Sequence, residues 1–227
     1  MDKINIIIPC AGMSYRTGLK RQKCLLKFKN TNIILRQINI LEKNYNCKIT
    51  VITGFEANKV REILPKDVQE IYNKNFHDTN VAYSIGLALK EISCNKAIIF
   101  YGDLIYNNNV VLDYKNNLNT IVVSEEDQDK DKVGLTIINN IITNFSYGLK
   151  TKWSHIAKIN DECIKHFKSV LDNQYQHKWF SFEVFIKMIN DGYNIYPVKI
   201  NKIKVMEINC LDDLKVANEY FSRKHNI

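Results

Sequence analysis

Short apolar runs alternate with amphipathic stretches through the first half of the chain, and this pattern constrains the fold most. The isoleucine-rich run Ile4–Ile8 suits a strand covered on both faces. Ile34, Leu35, Ile38 and Leu41 then form a helical stripe within Thr31–Leu41, with Thr31 or Asn32 available as N-cap. A second strand is expected over Lys48–Ile52, ended by Gly54, and a short helix over Glu56–Leu64, stopped by Pro65. Val68–Tyr72 reads as a weaker strand, residues 81–92 as a helix capped by Thr79 and Asn80, and Ala97–Tyr101 as a strong central strand. Strand–helix–strand repetition of this kind implies parallel pairing with helices on both faces.

The second half changes character. Asn119–Val123 and Val133–Ile138 read as a hairpin around the acidic stretch "SEEDQDKDK", with Ile141–Phe145 extending the meander. Helices are expected over Cys163–Leu171 and Phe182–Ile189, strands over Ile195–Ile200 and Lys204–Ile208, and a closing helix over Leu211–Phe221. No Gly-, Ser- or Pro-rich linker divides the chain and no repeat is visible, so 227 residues form a single domain with a mixed sheet.

The stretch "IIIPCAGMSYRTGLKRQKCLL" leaves the first strand and at once concentrates Arg16, Lys20, Arg21 and Lys23 around one loop. In open α/β sheets, ligands bind beyond the carboxyl ends of the strands, where this loop falls. Ala11 and Gly12 are small enough for a ligand to approach the backbone, and amides in such a turn can cradle an anion. Arg16 offers a planar fork for phosphate oxygens and Lys23 a compact point charge. The spacing is neither G-x-G-x-x-G nor G-x-x-x-x-G-K-[ST], which argues against a dinucleotide fingerprint or a P-loop.

Bulk properties narrow the partners. The formal net charge of +8 accords with a nucleic acid, an anionic lipid or a small phosphorylated ligand. No Lys/Arg block with interleaved aromatics supports a nucleic acid, and no apolar run approaches the ~20 residues of a membrane span. The six scattered cysteines form no C-x-x-C pair, and the start "MDKINIIIP" lacks the apolar core of a signal peptide. Both features predict reduced thiols in a cytoplasmic protein without membrane insertion.

Several motifs now coincide. The opening stretch resembles the signature loop of the nucleotidyltransferase family that activates sugar phosphates, phosphocholine and related compounds: an apolar strand, A-G-x-G/S-x-R, a spacer and P-K-x-L. Ala11, Gly12, Ser14, Arg16, Lys23 and Leu25 match it, while Cys10 and Gln22 depart from the usual Ala and Pro. "VITGF", "NFHDTNVAYSIGLAL", "IIFYGDLIY" and "VMEINCLDDLKVANEY" resemble the family's later landmarks in order. The resemblance implies a Rossmann-like three-layer α/β/α fold with a mixed, mostly parallel sheet. It also implies a nucleotide-binding half over residues 1–118 and an acceptor-binding half over 119–227.

The same resemblance assigns roles. Arg16 and Lys23 act on the triphosphate, and Ala11, Gly12, Met13, Ser14, Asn80 and Ser84 contact the nucleotide. Asp103 holds Mg²⁺ with Asn209 as second ligand, while Glu207, two residues earlier and on the same face of an extended strand, is the alternative second ligand on position alone. The implied reaction joins a nucleotide, CTP in preference, to a small phosphorylated or phosphonate acceptor such as phosphocholine and releases pyrophosphate. A sugar-1-phosphate nucleotidylyltransferase using UTP or dTTP and a catalytically silent nucleotide-binding domain are the alternatives. Gly102-Asp103-Leu104 is not the D-x-D of a glycosyltransferase.

Other residues keep two readings at this point. Asn80 can serve only as an N-cap, Lys20 and Arg21 only as general positive potential, and 125–131 only as a solvated hairpin tip. Tyr147, Trp153, Trp179 and Phe180 suit ordinary packing or a cage for a quaternary ammonium group. The histidines show no ligand spacing and receive no role. Assembly into a homo-oligomer is compatible with all of these readings.

Overall fold

The computed structural model describes residues 3–13, 21–107, 112–125, 132–199 and 205–223. Strand β1 (Ile4–Cys10) lies at the centre, parallel to β4 (Cys47–Thr53) on one side and β6 (Lys96–Phe100) on the other. Between them run the short hairpin of β2 (Lys27–Phe28) and β3 (Thr31–Asn32), then α1 (Ile33–Asn44). Strand β5 (Gln69–Tyr72) extends the parallel set beyond β4, after α2 (Ala57–Arg61) and before α3 (Val81–Glu91).

Ile6, Ile7 and Ile8 have no exposed surface, and they divide between two cores. Ile7 packs under α3 with Ile85 and Leu89, whereas Ile6 and Ile8 pack under α1 with Ile34, Ile38 and Leu41. Alternate side chains of an extended strand face opposite ways, so an isoleucine-rich strand requires cover on both sides. Each such burial contributes roughly 1.5–3 kcal/mol. The expected three layers follow.

The remaining sheet is mixed. Strand β7 (Leu104–Tyr106) leaves the main sheet, and β8 (Thr120–Glu125), β9 (Val133–Ile138), β10 (Ile141–Tyr147) and β11 (Thr151–Asn160) continue it. Strands β8 and β9 are where the sequence predicts them, but they do not pair as a hairpin. Each lies antiparallel to β11, and β11 also pairs with β6. The meander with β10 does form.

Strand β11 is absent from the sequence reading because "TKWSHIAKIN" places Lys152, Ser154, His155 and Lys158 among its apolar residues. Lys158 is nonetheless fully buried, with Nζ donating to the carbonyls of Asp113 at 2.9 Å and Asn116 at 3.1 Å and to the Asn116 side-chain oxygen. A buried ammonium is costly unless its donors are satisfied, and three oxygens satisfy this one.

Helices α4 (Asp161–Ser169) and α5 (Ser181–Asn190) join α3 on one face, and β12 (Tyr196–Lys199) pairs parallel to β8. The helix expected over Glu56–Leu64 is shorter, because regular α structure ends at Arg61 before the turn that reaches Pro65. Finally β13 (Val205–Glu207) pairs antiparallel with β7, opposing Glu207 to Leu104, and α6 (Leu211–Arg223) packs Phe221 edge-on against Phe28 at 5.9 Å. The C-terminal segment is thereby carried back to the carboxyl end of β6. Among the described residues, no helix is long and apolar enough to cross a membrane.

Close backbone approach at that end depends on Gly102. A Cβ there would meet Cys10 Sγ at 2.2 Å and the Pro9 carbonyl oxygen at 3.0 Å. Gly102→Ala is expected to lose about 1–3 kcal/mol of stability through overpacking. Urea denaturation checks this, with a lowered midpoint at an unchanged m-value as the expected result.

Candidate active site

Three segments meet at the carboxyl end of β1 and β6. Lys23 begins a single 3-10 turn (Lys23–Leu25) that follows the basic loop, and its ammonium donates to Asp103 Oδ2 at 3.0 Å and to Asn209 Oδ1 at 2.7 Å. The Lys23 and Asp103 side chains are 15% and 17% exposed, so the pair is shielded but reachable from solvent. Asp103 lies in the turn between β6 and β7, where its carbonyl accepts from the Ile208 amide at 2.9 Å. Asn209 is held by Asp213, whose carboxylate accepts from the amides of Asn209 at 2.7 Å and Cys210 at 2.9 Å at the start of α6.

Glu207 lies beside this trio. Burial opposes its ionisation, but His155, Lys23 and a hydrogen bond with Asn209 outweigh that and hold the carboxyl below its usual range. The sequence alone gives His155 no role, yet its Nε2 stands 3.7 Å from Glu207 Oε2. Lys23, Asp103, Asn209 and Glu207 therefore converge from residues far apart in the chain.

The donor set suits a hard divalent cation. Asp103 Oδ1 is buried without a hydrogen-bond partner, while its Oδ2 and Asn209 Oδ1 already share one positive charge, the Lys23 ammonium. Among the described residues, no three His, Cys, Asp or Glu side chains form a metal cluster. A metal here would take one or two carboxylates, the Asn209 oxygen and oxygens from substrate or water, as Mg²⁺ does.

The signature loop is open at its near end. Ala11 is buried, Met13 is half-buried and Gly12 is exposed, with no atom within 4 Å of where its Cβ would stand. Ser14, Arg16 and Lys20 lie outside the described residues, as do positions 126–131 of the acidic stretch. Arg21 is exposed.

Gln22, the departure from the family's proline, closes the base of the loop. Its buried side-chain amide donates to the carbonyls of Cys10 and Gly12, the latter at 3.0 Å, and reaches Phe55 O at 3.5 Å. Its Oε1 accepts from the Lys23 amide at 3.0 Å, and its own amide donates to Glu56 Oε2 at 2.7 Å. A proline there could make none of these bonds, and the polar side chain in its place was the available signal.

Asn80 and Ser84 are engaged within the fold. Asn80 Oδ1 accepts from the Val81 amide as N-cap of α3, and its Nδ2 donates to the Lys178 carbonyl at 3.2 Å. Ser84 is buried and accepts from Asn73 Nδ2 at 3.1 Å. The Asn80 bond to Lys178 ties the start of α3 to the 177–179 segment, where the Asn80 amide also donates to His177 O and the Ala82 amide to Trp179 O, while Ser84 ties α3 to Asn73 after β5. The two residues share a helix but turn to different protein partners.

The four aromatics divide as well. Trp153 is buried against Tyr101, Phe145 and Phe185, while Tyr147 and Phe180 both flank Phe182 and Trp179 packs on the α3 side of the core. They do not form one cage.

This is the architecture of a nucleotide-handling α/β protein, its candidate site gathered where the parallel strands end. The model of the MobA-like NTP transferase domain matches residues 6–180, and the chain belongs to that family. It is a nucleotidyltransferase. Among solved structures, the CTP:phosphocholine cytidylyltransferase of Streptococcus pneumoniae superposes with a TM-score of 0.83 at 16% identity, covering 97% of this chain and 100% of that one. A putative glucose-1-phosphate thymidylyltransferase from Bacillus anthracis gives 0.83 at 16% identity over 99% and 97%. The inositol-1-phosphate CTP transferase of T. maritima gives 0.79 at 15% over 99% and 98%. At this identity the likeness establishes the fold. A search of curated proteins gave no match.

Gln22→Ala is expected to cost roughly 1–3 kcal/mol, since it strips a donor from buried carbonyls, and to weaken nucleotide binding more than a distant substitution of equal cost. Denaturation and nucleotide-binding isotherms, compared with Gly134→Ala as the distant control, check both.

Proposed function

We propose that this protein is a cytidylyltransferase that joins CTP to a small phosphorylated or phosphonate acceptor such as phosphocholine, releasing pyrophosphate. The observation that carries this reading is the Lys23 ammonium held between Asp103 and Asn209. A cation-binding oxygen pair and a phosphate-binding cation thus stand at one point. Two fold neighbours described as acting with CTP favour cytidine.

The acceptor oxygen is already anionic, so the reaction needs no general base. It attacks the α-phosphorus, a P–O bond forms, and the bond to the bridging α–β oxygen breaks as pyrophosphate departs. The barriers are charge repulsion and alignment, which a protein lowers by positioning and electrostatic stabilisation. Lys23 neutralises the α-phosphate and Arg16 the leaving β- and γ-phosphates. Ala11, Gly12, Met13 and Ser14 let the triphosphate approach the backbone, with Asn80 and Ser84 beside the nucleotide. Residues 1–118 serve the nucleotide and 119–227 the acceptor.

Asp103, Asn209 and Glu207 would hold Mg²⁺, which supplies Lewis-acid neutralisation of the phosphate oxygens. Lys23 cannot serve the α-phosphate while it bridges Asp103 and Asn209. It leaves the oxygen pair when nucleotide arrives, and the negative charge it vacates is what the site offers a metal.

Pyrophosphate release from the four nucleoside triphosphates, each offered phosphocholine, aminoethylphosphonate or glucose-1-phosphate with Mg²⁺, tests the reading. CTP with phosphocholine or the phosphonate is the expected signal. UTP or dTTP with glucose-1-phosphate would establish the sugar-nucleotide alternative, and silence in every well would contradict an active enzyme. Asp103→Ala is expected to abolish turnover and remain folded, because Lys23 keeps Asn209 and access to solvent. Lys23→Met is expected to lower kcat roughly 10²–10³-fold. Unfolding of Asp103→Ala, seen by circular dichroism, would return Asp103 to a structural role.

A further inference from the structure

His155 occupies a conformation that its own strand does not call for. Its φ is +57°, a left-handed value foreign to an extended strand and uncommon outside glycine, although His, like Asn and Asp, adopts it more readily than other side chains, and it lies within the ten-residue strand β11. Pairing with β8 jumps there from Trp153–Val123 to Ala157–Ile121, so β11 carries extra residues as a bulge. Bulges re-aim side chains, and strained backbone persists where the surroundings over-determine it.

The surroundings do so on every side. The His155 ring stacks on Trp153, with centroids 4.8 Å apart and planes at 15°, and leans on Tyr101 at 4.8 Å. Its carbonyl accepts from the Tyr101 amide at 3.3 Å, two residues before Asp103. Its Nε2 faces Glu207 at 3.7 Å, and Nδ1 is buried with no hydrogen-bond partner. One residue therefore touches both arms of the site, the β6 end through its backbone and the β13 end through its ring.

We infer that His155 is a positioning residue for the transfer reaction: the bulge holds its imidazole so that it fixes Glu207 beside Asn209 while its carbonyl fixes the turn bearing Asp103. The strain is retained for the site and contributes nothing to the strand. This rests on the proposed reading of Asp103, Asn209 and Glu207 as cation ligands.

Glycine separates strain from function, because it adopts this φ without penalty. His155→Gly loses the ring's packing on Trp153 and Tyr101 and is expected to melt below the wild type, but at or above His155→Ala, which loses the same ring and keeps the strained φ. It should bind Mn²⁺ at least ten-fold more weakly in the presence of a non-hydrolysable CTP analogue, and its kcat should fall with the KM for CTP little changed. His155→Asn, which tolerates this φ and keeps a donor, should recover part of the Mn²⁺ affinity. Unchanged Mn²⁺ binding and kcat in His155→Gly would overturn the inference. A His155→Gly variant that melts below His155→Ala would overturn it too, because the backbone would then hold no strain for glycine to relieve. A wild-type protein that binds no Mn²⁺ would instead remove the reading of the oxygen cluster on which the inference stands.

Discussion

A single ammonium group ties the candidate site together. Lys23 comes from the loop after the first strand, Asp103 from the turn after the fourth parallel-set strand in chain order, and Asn209 from the segment before the last helix. Two carbonyl or carboxylate oxygens placed this close repel unless a positive charge stands between them. Lys23 supplies it, and the three segments can then converge in a partly shielded place without leaving a charge unpaired. Removing one partner of such a pair costs most where it is deeply buried, about 3–5 kcal/mol. Here each side chain keeps some exposure, and the lysine has an exit.

The rest of the fold delivers those segments to that point. β1 buries isoleucines on both faces and ends at Cys10, and the absence of a side chain on Gly102 lets the β6 turn press against Cys10 and Pro9. Pairing of β13 with β7 sets Glu207 opposite Leu104, and α6 docks through Phe221 on Phe28. Gln22 then binds the base of the signature loop to the ends of β1 and β4, so that Lys23 begins its turn from a fixed position. Tertiary packing of local elements, rather than any single loop, makes the constellation.

Much of this could be read in the sequence. Burial on two faces gave β1, β4 and β6 their continuous apolar character, and the helical stripe of α1 was equally plain. Lys23 stood out because it lies in a basic loop that matches the signature motif, and Asp103 because the order of motifs places a Gly-Asp pair after an apolar strand. β11 escaped notice because its lysines are buried: Lys158 is satisfied by carbonyls from a loop distant in sequence, which no local pattern reveals. The false hairpin of β8 and β9 follows from the same omission, since the strand between them was missing. Gln22 and His155 were hidden for a related reason. Their importance lies in partners far along the chain and, for His155, in a backbone angle that a bulge imposes.

The family membership makes the chain a nucleotidyltransferase, and the proposed chemistry turns on one exchange, in which Lys23 gives up the Asp103–Asn209 oxygens as the nucleotide enters. Mn²⁺ affinity measured without nucleotide, wild type against Lys23→Met, tests that exchange most directly, with Arg21→Met as a control for the loss of a nearby charge. The account predicts several-fold tighter Mn²⁺ binding in Lys23→Met and little change in Arg21→Met. Equal or weaker binding in Lys23→Met would contradict it.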